Sequence, residues 1–438
     1  MPYEPRDLVT RKILTGIGKL ATSPLPVQVA SRAKYLLLDS LAVYQKTRTN
    51  CPSAALLPQP DRSIGDAAFE FAYHLNRSDW DDTYYPGLLH ASAVTLPAAF
   101  CLAVEYDVSG DRFLKAYCVG LEISCRIAMC IGPALLGRGL HASAVLSPLS
   151  AAITCGLLAN LTESQLAQAI AIAASSAGGI FEFSRTGGTS KSFGLGMGQM
   201  AGLQAVKLVR QGYTGPARSL DGEFGFLNIL AGIGSDRFLE VFSTALDRKF
   251  FCLFDIRPKR YDVNALAHAA LEAVFSCIEA AGKRSWSEIV VEISPSAAMV
   301  LNIDSAFSPK TLEEARYHLP TMILAANDYG EVSSSVLVEL LGKCGPISQR
   351  RISIRVSDNF TGEYAFAAAA TIPEIETGRV LLNQSSWREQ NAFPTQALNE
   401  KVDRCAGTKA EELKRMVHHL GGDQNIRIAD LWQFIHGN

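Results

Sequence analysis

From about residue 6 to residue 250, apolar side chains recur three and four positions apart with little interruption. That period presents one apolar stripe per helix, so this half of the chain must pack as helices on helices. RDLVTRKILTGIGKLA, VASRAKYLLLDSLAVYQ and DAAFEFAYHLNR carry the pattern most clearly. Thr162-Glu163-Ser164-Gln165 reads as a capping box opening a helix through Ala173. After about residue 255 the period changes. SEIVVEIS, RRISIRVSD, YAFAAAATI and GRVLLNQ are short and rich in strand formers, with helical stretches between them. From Thr395 to His436 the helical period returns. The fold class is therefore mainly α with an α+β part. A large all-helical domain is formed by both chain ends, residues 1–255 and 395–438, and a smaller α+β domain, 256–394, is inserted. No internal repeat and no low-complexity linker stand out.

Composition excludes several classes. Lys and Arg total 41 against 43 Asp and Glu among 438 residues, so there is no general field for nucleic acid or an anionic membrane. The amino terminus, MPYEPRDLVTRKILTG, mixes charge and proline from the start and has no secretory pattern. No purely apolar run of about eighteen residues appears, so no membrane span is expected. Ten cysteines lie mostly in apolar stretches without a CxxC pair, and HExxH is missing. They read as reduced, buried thiols of a cytoplasmic protein, with no metal and no cofactor assigned.

Four short clusters carry the chemistry. The first is DWDDTYYPGLLH, Asp79 to His90, on a loop that Pro86-Gly87 breaks before a helix from about Ser92. An ordinary reading of its carboxylates is a solvated turn in which Asp82 or Thr83 caps the next helix. The second is GRGLHAS, which puts His141 at a helix start, where the dipole favours an anion. The third is RTGGTSKS. Its Lys191 follows Ser190 rather than Gly, so it fails as a phosphate loop. A cation at that helix N-terminus also requires an anion nearby. The fourth is RPKRY, Arg257 to Tyr261, at the boundary between the two patterns, where a ligand would be enclosed. Together these suit an enzyme that removes a proton beside a carboxylate of a small polyanion.

The ordered set of motifs resembles the MmgE/PrpD family, which includes 2-methylcitrate dehydratase, cis-aconitate decarboxylase and iminodisuccinate epimerase. The likeness runs from DWDDT through GLH and the lysine-bearing glycine helix to GYTGP, DGEFGF, the KRY segment and SPKTLEEA. It implies a helical domain with a smaller α+β lid, a homodimer and a metal-free polar site between the domains. By residue, it assigns Asp79, Thr83, His90, His141, Lys191 and Lys259 to catalysis. Arg260, Tyr261, Asn264 and His268 are assigned to substrate binding. Gly194, Asn264 and Thr321 depart from the family pattern, which often has a histidine at the first and a tyrosine at the last. The reaction implied is dehydration of a 2-methylcitrate- or alkylcitrate-like hydroxy acid without a cofactor. Decarboxylation of a cis-aconitate-like acid, epimerisation of a dicarboxylate and a non-catalytic binding role are the alternatives.

Overall fold

The computed structural model describes residues 7–49, 63–246, 248–282, 286, 288–342, 351–361, 365–373, 380–383, 395–422 and 426–437. Between Leu8 and Arg210 the described residues form eight helices of twelve residues or more. They are α1 (Leu8–Thr22), α2 (Val27–Thr49), α3 (Ile64–Arg77), α4 (Ala91–Glu105), α5 (Gly110–Gly137), α6 (Ala142–Leu158), α7 (Glu163–Ala174) and α8 (Lys191–Arg210). The expected capping box is present: Thr162 and Gln165 satisfy each other's backbone N–H at the start of α7.

Helices α4 and α6 are buried on nearly every face, so their neighbours must approach closely. Helix α8 does so through glycine. A Cβ at Gly202 would lie 2.4 Å from the Pro148 carbonyl oxygen, so any side chain there would push α8 off α6. Both α4 and α6 contain an internal proline, Pro97 and Pro148. Proline breaks the i to i−4 ladder, and Gln199 of α8 splices the break in α4. Its amide oxygen accepts from Ala98 N at 3.0 Å, and its Nε2 donates to the Val94 carbonyl at 2.6 Å. The same Nε2 reaches Ser147 Oγ of α6 at 3.0 Å. One buried amide thus ties three helices.

The α+β part holds a four-stranded sheet of β1 (Glu288–Ile293), β2 (Arg351–Val356), β3 (Ala367–Thr371) and β4 (Val380–Asn383), ordered β2-β1-β3-β4. Strand β2 runs parallel to β1, and β3 is antiparallel to both β1 and β4. In β1 burial alternates along the strand, so Ile289, Val291 and Ile293 face the core, as a half-covered sheet requires. Helices α9 (His268–Ala281) and α10 (Leu319–Tyr329) complete this layer. The mainly helical class with a small α+β part is as the two periods imply.

Two apolar clusters form. The larger draws on Val9 to Ile256 and resumes from Leu398 to Ile435. The second runs from Tyr261 to Ile372, with Phe183 reaching into it from the helical part. Arg257 to Tyr261 crosses from one to the other. Helix α5 is the described helix long and apolar enough to cross a membrane, and most of it is packed inside this fold. Of the eight described cysteines seven are buried; Cys51 and Cys344 lie outside the described residues.

Candidate functional site

The acidic loop is not a solvated turn. Asp79 is 2% exposed, and Asp81 and Asp82 are fully buried. The capping expectation does hold in kind. Asp82 accepts from Ser92 N at 2.9 Å, inside the first turn of α4, and from the Ser92 hydroxyl. Burial pushes the Asp82 carboxyl up to about 7, although both Ser92 contacts pull it down. Thr83 exchanges both backbone hydrogen bonds with Arg257 at 2.8 Å, which fastens the loop to the domain boundary. Lys401, itself paired with Asp39 at 2.6 Å, donates to the Trp80 carbonyl. Two chain segments far from the loop therefore close over it.

Asp79 is the hub. Its backbone is left-handed, with φ 57°, a conformation aspartate tolerates better than most residues. Its Oδ1 takes Lys191 Nζ at 2.7 Å and Lys259 Nζ closer still, and Lys259 also donates to the Asp79 carbonyl at 2.9 Å. Burial raises the carboxyl, but Lys191, Lys259 and His90 outweigh it and hold it well below the usual carboxylate range. This resolves the misplaced cation. Lys191 is the first residue of α8, and the anion its position demands is Asp79 of the protein itself. Burial nevertheless lowers the Lys191 ammonium below its ordinary value.

His90 and His141 are the N-cap residues of α4 and α6, with ring centroids 6.0 Å apart. His90 Nδ1 lies 3.0 Å from Asp81 Oδ2 and its Nε2 3.9 Å from Asp79 Oδ1. Burial lowers His90, Asp81 works against that, and Lys191 and Lys259 reinforce it, leaving it below its ordinary value. His141 is pushed much further down by burial, then by His90 and Lys191. It sits among Phe181 and Phe183, at 5.5 and 5.3 Å between centroids.

A repeat underlies this symmetry, contrary to the expectation of none. The chain reads HASAVTLP from His90 and HASAVLSP from His141, each entering a buried helix with its proline seven residues on. Comparison of the two octets alone would have linked the two histidines.

Two clefts meet at the Asp79 cluster. The first encloses about 540 Å³ with its mouth and is lined by Thr83, His90, His141, Lys259, Asn264 and Tyr317 together with apolar residues. The second, about 420 Å³, is lined by Asp79, Lys191, Arg77 and Arg316, and shares Tyr317. Thr83 Oγ1, His141 Nδ1 and Asp79 Oδ2 are buried without a hydrogen-bond partner among the described residues. Orphaned polar atoms grouped at a cleft mark where a polar ligand completes the bonding.

Not every residue assigned by resemblance arrives. Arg260 pairs with Glu272 at 3.0 Å in a separate surface depression, and the Tyr261 hydroxyl donates to the same carboxylate at 2.9 Å. Their side chains leave the site because the backbone carbonyl of Arg260 is held by the Trp80 indole. His268 is buried behind Lys259, stacked edge-on with Tyr261 at 5.2 Å, and lines neither cleft; burial lowers it to about 3. Thr321 hydrogen-bonds His318 Nδ1 at 2.7 Å, away from both clefts. A side chain at Gly194 would press on Ala144 Cβ, 2.9 Å from its own Cβ, so tight packing replaces a lining residue there. Tyr317, Arg316, Arg77 and Asp81 were missed. The first two belong to ARYHLP, whose period reads only as helix.

Donor atoms of Asp79, Asp81 and His90 converge within 4.8 Å, a spacing a divalent ion could use. Two ammonium groups already bind Asp79 Oδ1, and a third cation beside them is electrostatically opposed.

A helical body with a small α+β layer and a polar cleft at their junction defines the class. Residues 47–238 match the MmgE/PrpD N-terminal domain. It is 28% identical to a cis-aconitate decarboxylase of Aspergillus terreus, over 61% of this chain and 59% of that protein. It is also 28% identical to the cis-aconitate decarboxylase-like protein oryM of Aspergillus oryzae, over 62% and 61%. The cis-aconitate decarboxylase of Homo sapiens is 26% identical, over 61% and 59%. The chain thus aligns with about three fifths of the length of these relatives.

Proposed function

We propose that this protein is a lyase that acts on a polycarboxylate bearing an alkyl arm, and that it removes water from a hydroxy acid of the alkylcitrate type. The observation that carries the reading is the mixed lining of the first cleft. Lys259, His90, His141, Thr83 and Asn264 supply its polar groups. Leu88, Leu136, Leu140, Phe181, Leu266 and Val300 supply apolar surface. A bare tricarboxylate offers nothing to those apolar side chains; a carboxylate head with a hydrocarbon arm suits both kinds of lining.

In the proposed step a histidine takes the proton from the carbon beside a carboxylate. The electron pair left behind spreads into that carboxylate, where the ammonium groups stabilise it. As the double bond forms, the neighbouring hydroxyl leaves and takes up the proton the histidine removed, departing as water and restoring the neutral ring. Asp79 is too strongly held as an anion to serve as the base. Its role is to hold Lys191 and Lys259 in place. Decarboxylation is the second reading, favoured by the names of the similar proteins. It needs the same cations, with carbon dioxide leaving and the carbanion protonated by the same histidine.

The test is a panel of citrate, 2-methylcitrate, longer 2-alkylcitrates, cis-aconitate and amino-dicarboxylates, followed by mass spectrometry and ultraviolet absorbance. Dehydration yields an alkene with loss of water. Decarboxylation yields loss of carbon dioxide, and epimerisation only solvent deuterium in recovered substrate. Each buried methylene is worth about 0.8 kcal/mol, so KM should fall roughly fourfold per added carbon until the cleft is filled. Inertness across the panel, or a preference for citrate over every alkylcitrate, sinks the proposal.

A further inference from the structure

Asp81 lines neither cleft, yet it is fully buried and placed against His90, on which both lysines act. Its Oδ2 accepts from Asn76 Nδ2 at 2.9 Å and lies 3.0 Å from His90 Nδ1. Asn76 in turn accepts from Ser192 Oγ at 3.2 Å. Ser192 directly follows Lys191, so a buried chain of side chains runs from the start of α8, through the end of α3, to the ring at the start of α4. All three polar residues are buried.

We propose that Asp81 is a positioning residue that keeps the proton on His90 Nδ1, so that Nε2 is left as the acceptor directed at the cleft. With a carboxylate oxygen 3.0 Å from Nδ1, charge favours a proton on that nitrogen over a lone pair, although the contact is not aligned as a full hydrogen bond. The opposite nitrogen stands 3.9 Å from Asp79 Oδ1, too far to compete for the proton, because Lys191 and Lys259 already claim that oxygen. The groups facing His90 are therefore Asp79, Asp81, Lys191, Lys259 and the His141 ring, and of these Asp81 alone touches Nδ1. His141 has the same local sequence, and neither Nδ1 makes a well-aligned hydrogen bond among the described residues, but only that of His90 has a carboxylate oxygen at 3.0 Å; no described carboxylate pairs with His141. The proton-moving role thereby falls to His90 rather than His141, and that role rests on the lyase reading. The tautomer itself does not.

The test is long-range proton–nitrogen correlation spectroscopy on protein with isotope-labelled histidine, with His90 assigned from its absence in His90→Gln. Wild type should show His90 as the Nδ1–H tautomer. In Asp81→Asn the ring should shift toward the Nε2–H form, and its titration midpoint should fall by about one pH unit or more, the effect of losing an adjacent opposite charge. An unchanged tautomer and midpoint in folded Asp81→Asn overturns the proposal. Should that variant fail to fold, Asn76→Ala is read in the same way: it keeps the Asp81 charge but releases its tether, so a mixed tautomer supports the inference and a wild-type spectrum overturns it. The spectra need no substrate, so their outcome is separate from that of the substrate panel. With a turned-over substrate, Asp81→Asn should lower kcat by about 10² or more while KM moves little.

Discussion

The two helix starts, HASAVTLP and HASAVLSP, share their first five residues and differ in what surrounds them. Both place a histidine at the N-cap of a buried helix. At α4 the histidine meets a carboxylate at 3.0 Å and two ammonium groups beyond Asp79. At α6 it meets Phe181 and Phe183. The serines diverge as well. Ser92 donates to Asp82 and contacts the Tyr117 hydroxyl at 2.7 Å, whereas Ser143 Oγ accepts from the backbone N–H of His90. Identical local sequence builds identical helix starts, and the chemistry at each comes from what packs on it.

The sharpest way to break this contrast is to remove each ring in turn. His90→Gln should lower kcat/KM by about 10³ or more, and His141→Gln by about 10², within the span general acid–base catalysis supplies. Equal losses would mean that the Asp81 partner confers nothing. Lys191→Ala comes next. Activity should fall by roughly 10²–10³, as for a lost oxyanion contact. Lys191→Arg should restore little, because the flat guanidinium cannot occupy the compact place at 2.7 Å from Asp79. A well-folded Lys191→Ala protein with near-normal turnover removes this residue from the site.

The third contrast lies within the loop and is read as stability against pH. The Asp79 carboxyl is depressed, so its contribution is present above the ordinary carboxyl range and is lost on acidification. Asp82 has the opposite sign. Its folded value of about 7 exceeds the unfolded value of about 3.9, so folding takes up a proton between them. Stability from this group is full below about pH 4, declines as the pH rises to about 7, and is level beyond. Asp82→Asn imitates the protonated form and escapes that decline. Calorimetric Tm values should therefore move in favour of the variant between pH 5 and pH 8; a constant difference would refute the assignment.

The smallest effect concerns Arg260. Its ion pair with Glu272 is half exposed and lies outside both clefts, so Arg260→Ala should leave turnover within about twofold and cost under about 1 kcal/mol. A large loss of activity would return Arg260 to the substrate, as its family position implied.

The helices, the strands and the order in which they alternate were legible in the sequence, because periods of 3.6 and 2 state directly which face of an element is buried. The candidate site was legible in part. Thr83, His90, His141, Lys259 and Asn264 do line one cleft, and Asp79 and Lys191 the adjoining one. The burial of Asp79, Asp81 and Asp82 was not, since three carboxylates within four positions suggest solvent. Their partners, Lys191, Lys259, Asn76 and Ser92, lie on other segments. Nor could sequence position tell that Lys259 points into the cleft while Arg260, its neighbour, points out. Adjacent residues in an extended segment face opposite ways; which way is inward is settled by the Thr83–Arg257 pairing and by the Trp80 indole on the Arg260 carbonyl. The sequence by itself determined the elements and the residue types available for chemistry. The tertiary structure decided which of them share a charge, because a buried ion pair forms only where packing has brought both partners out of water together.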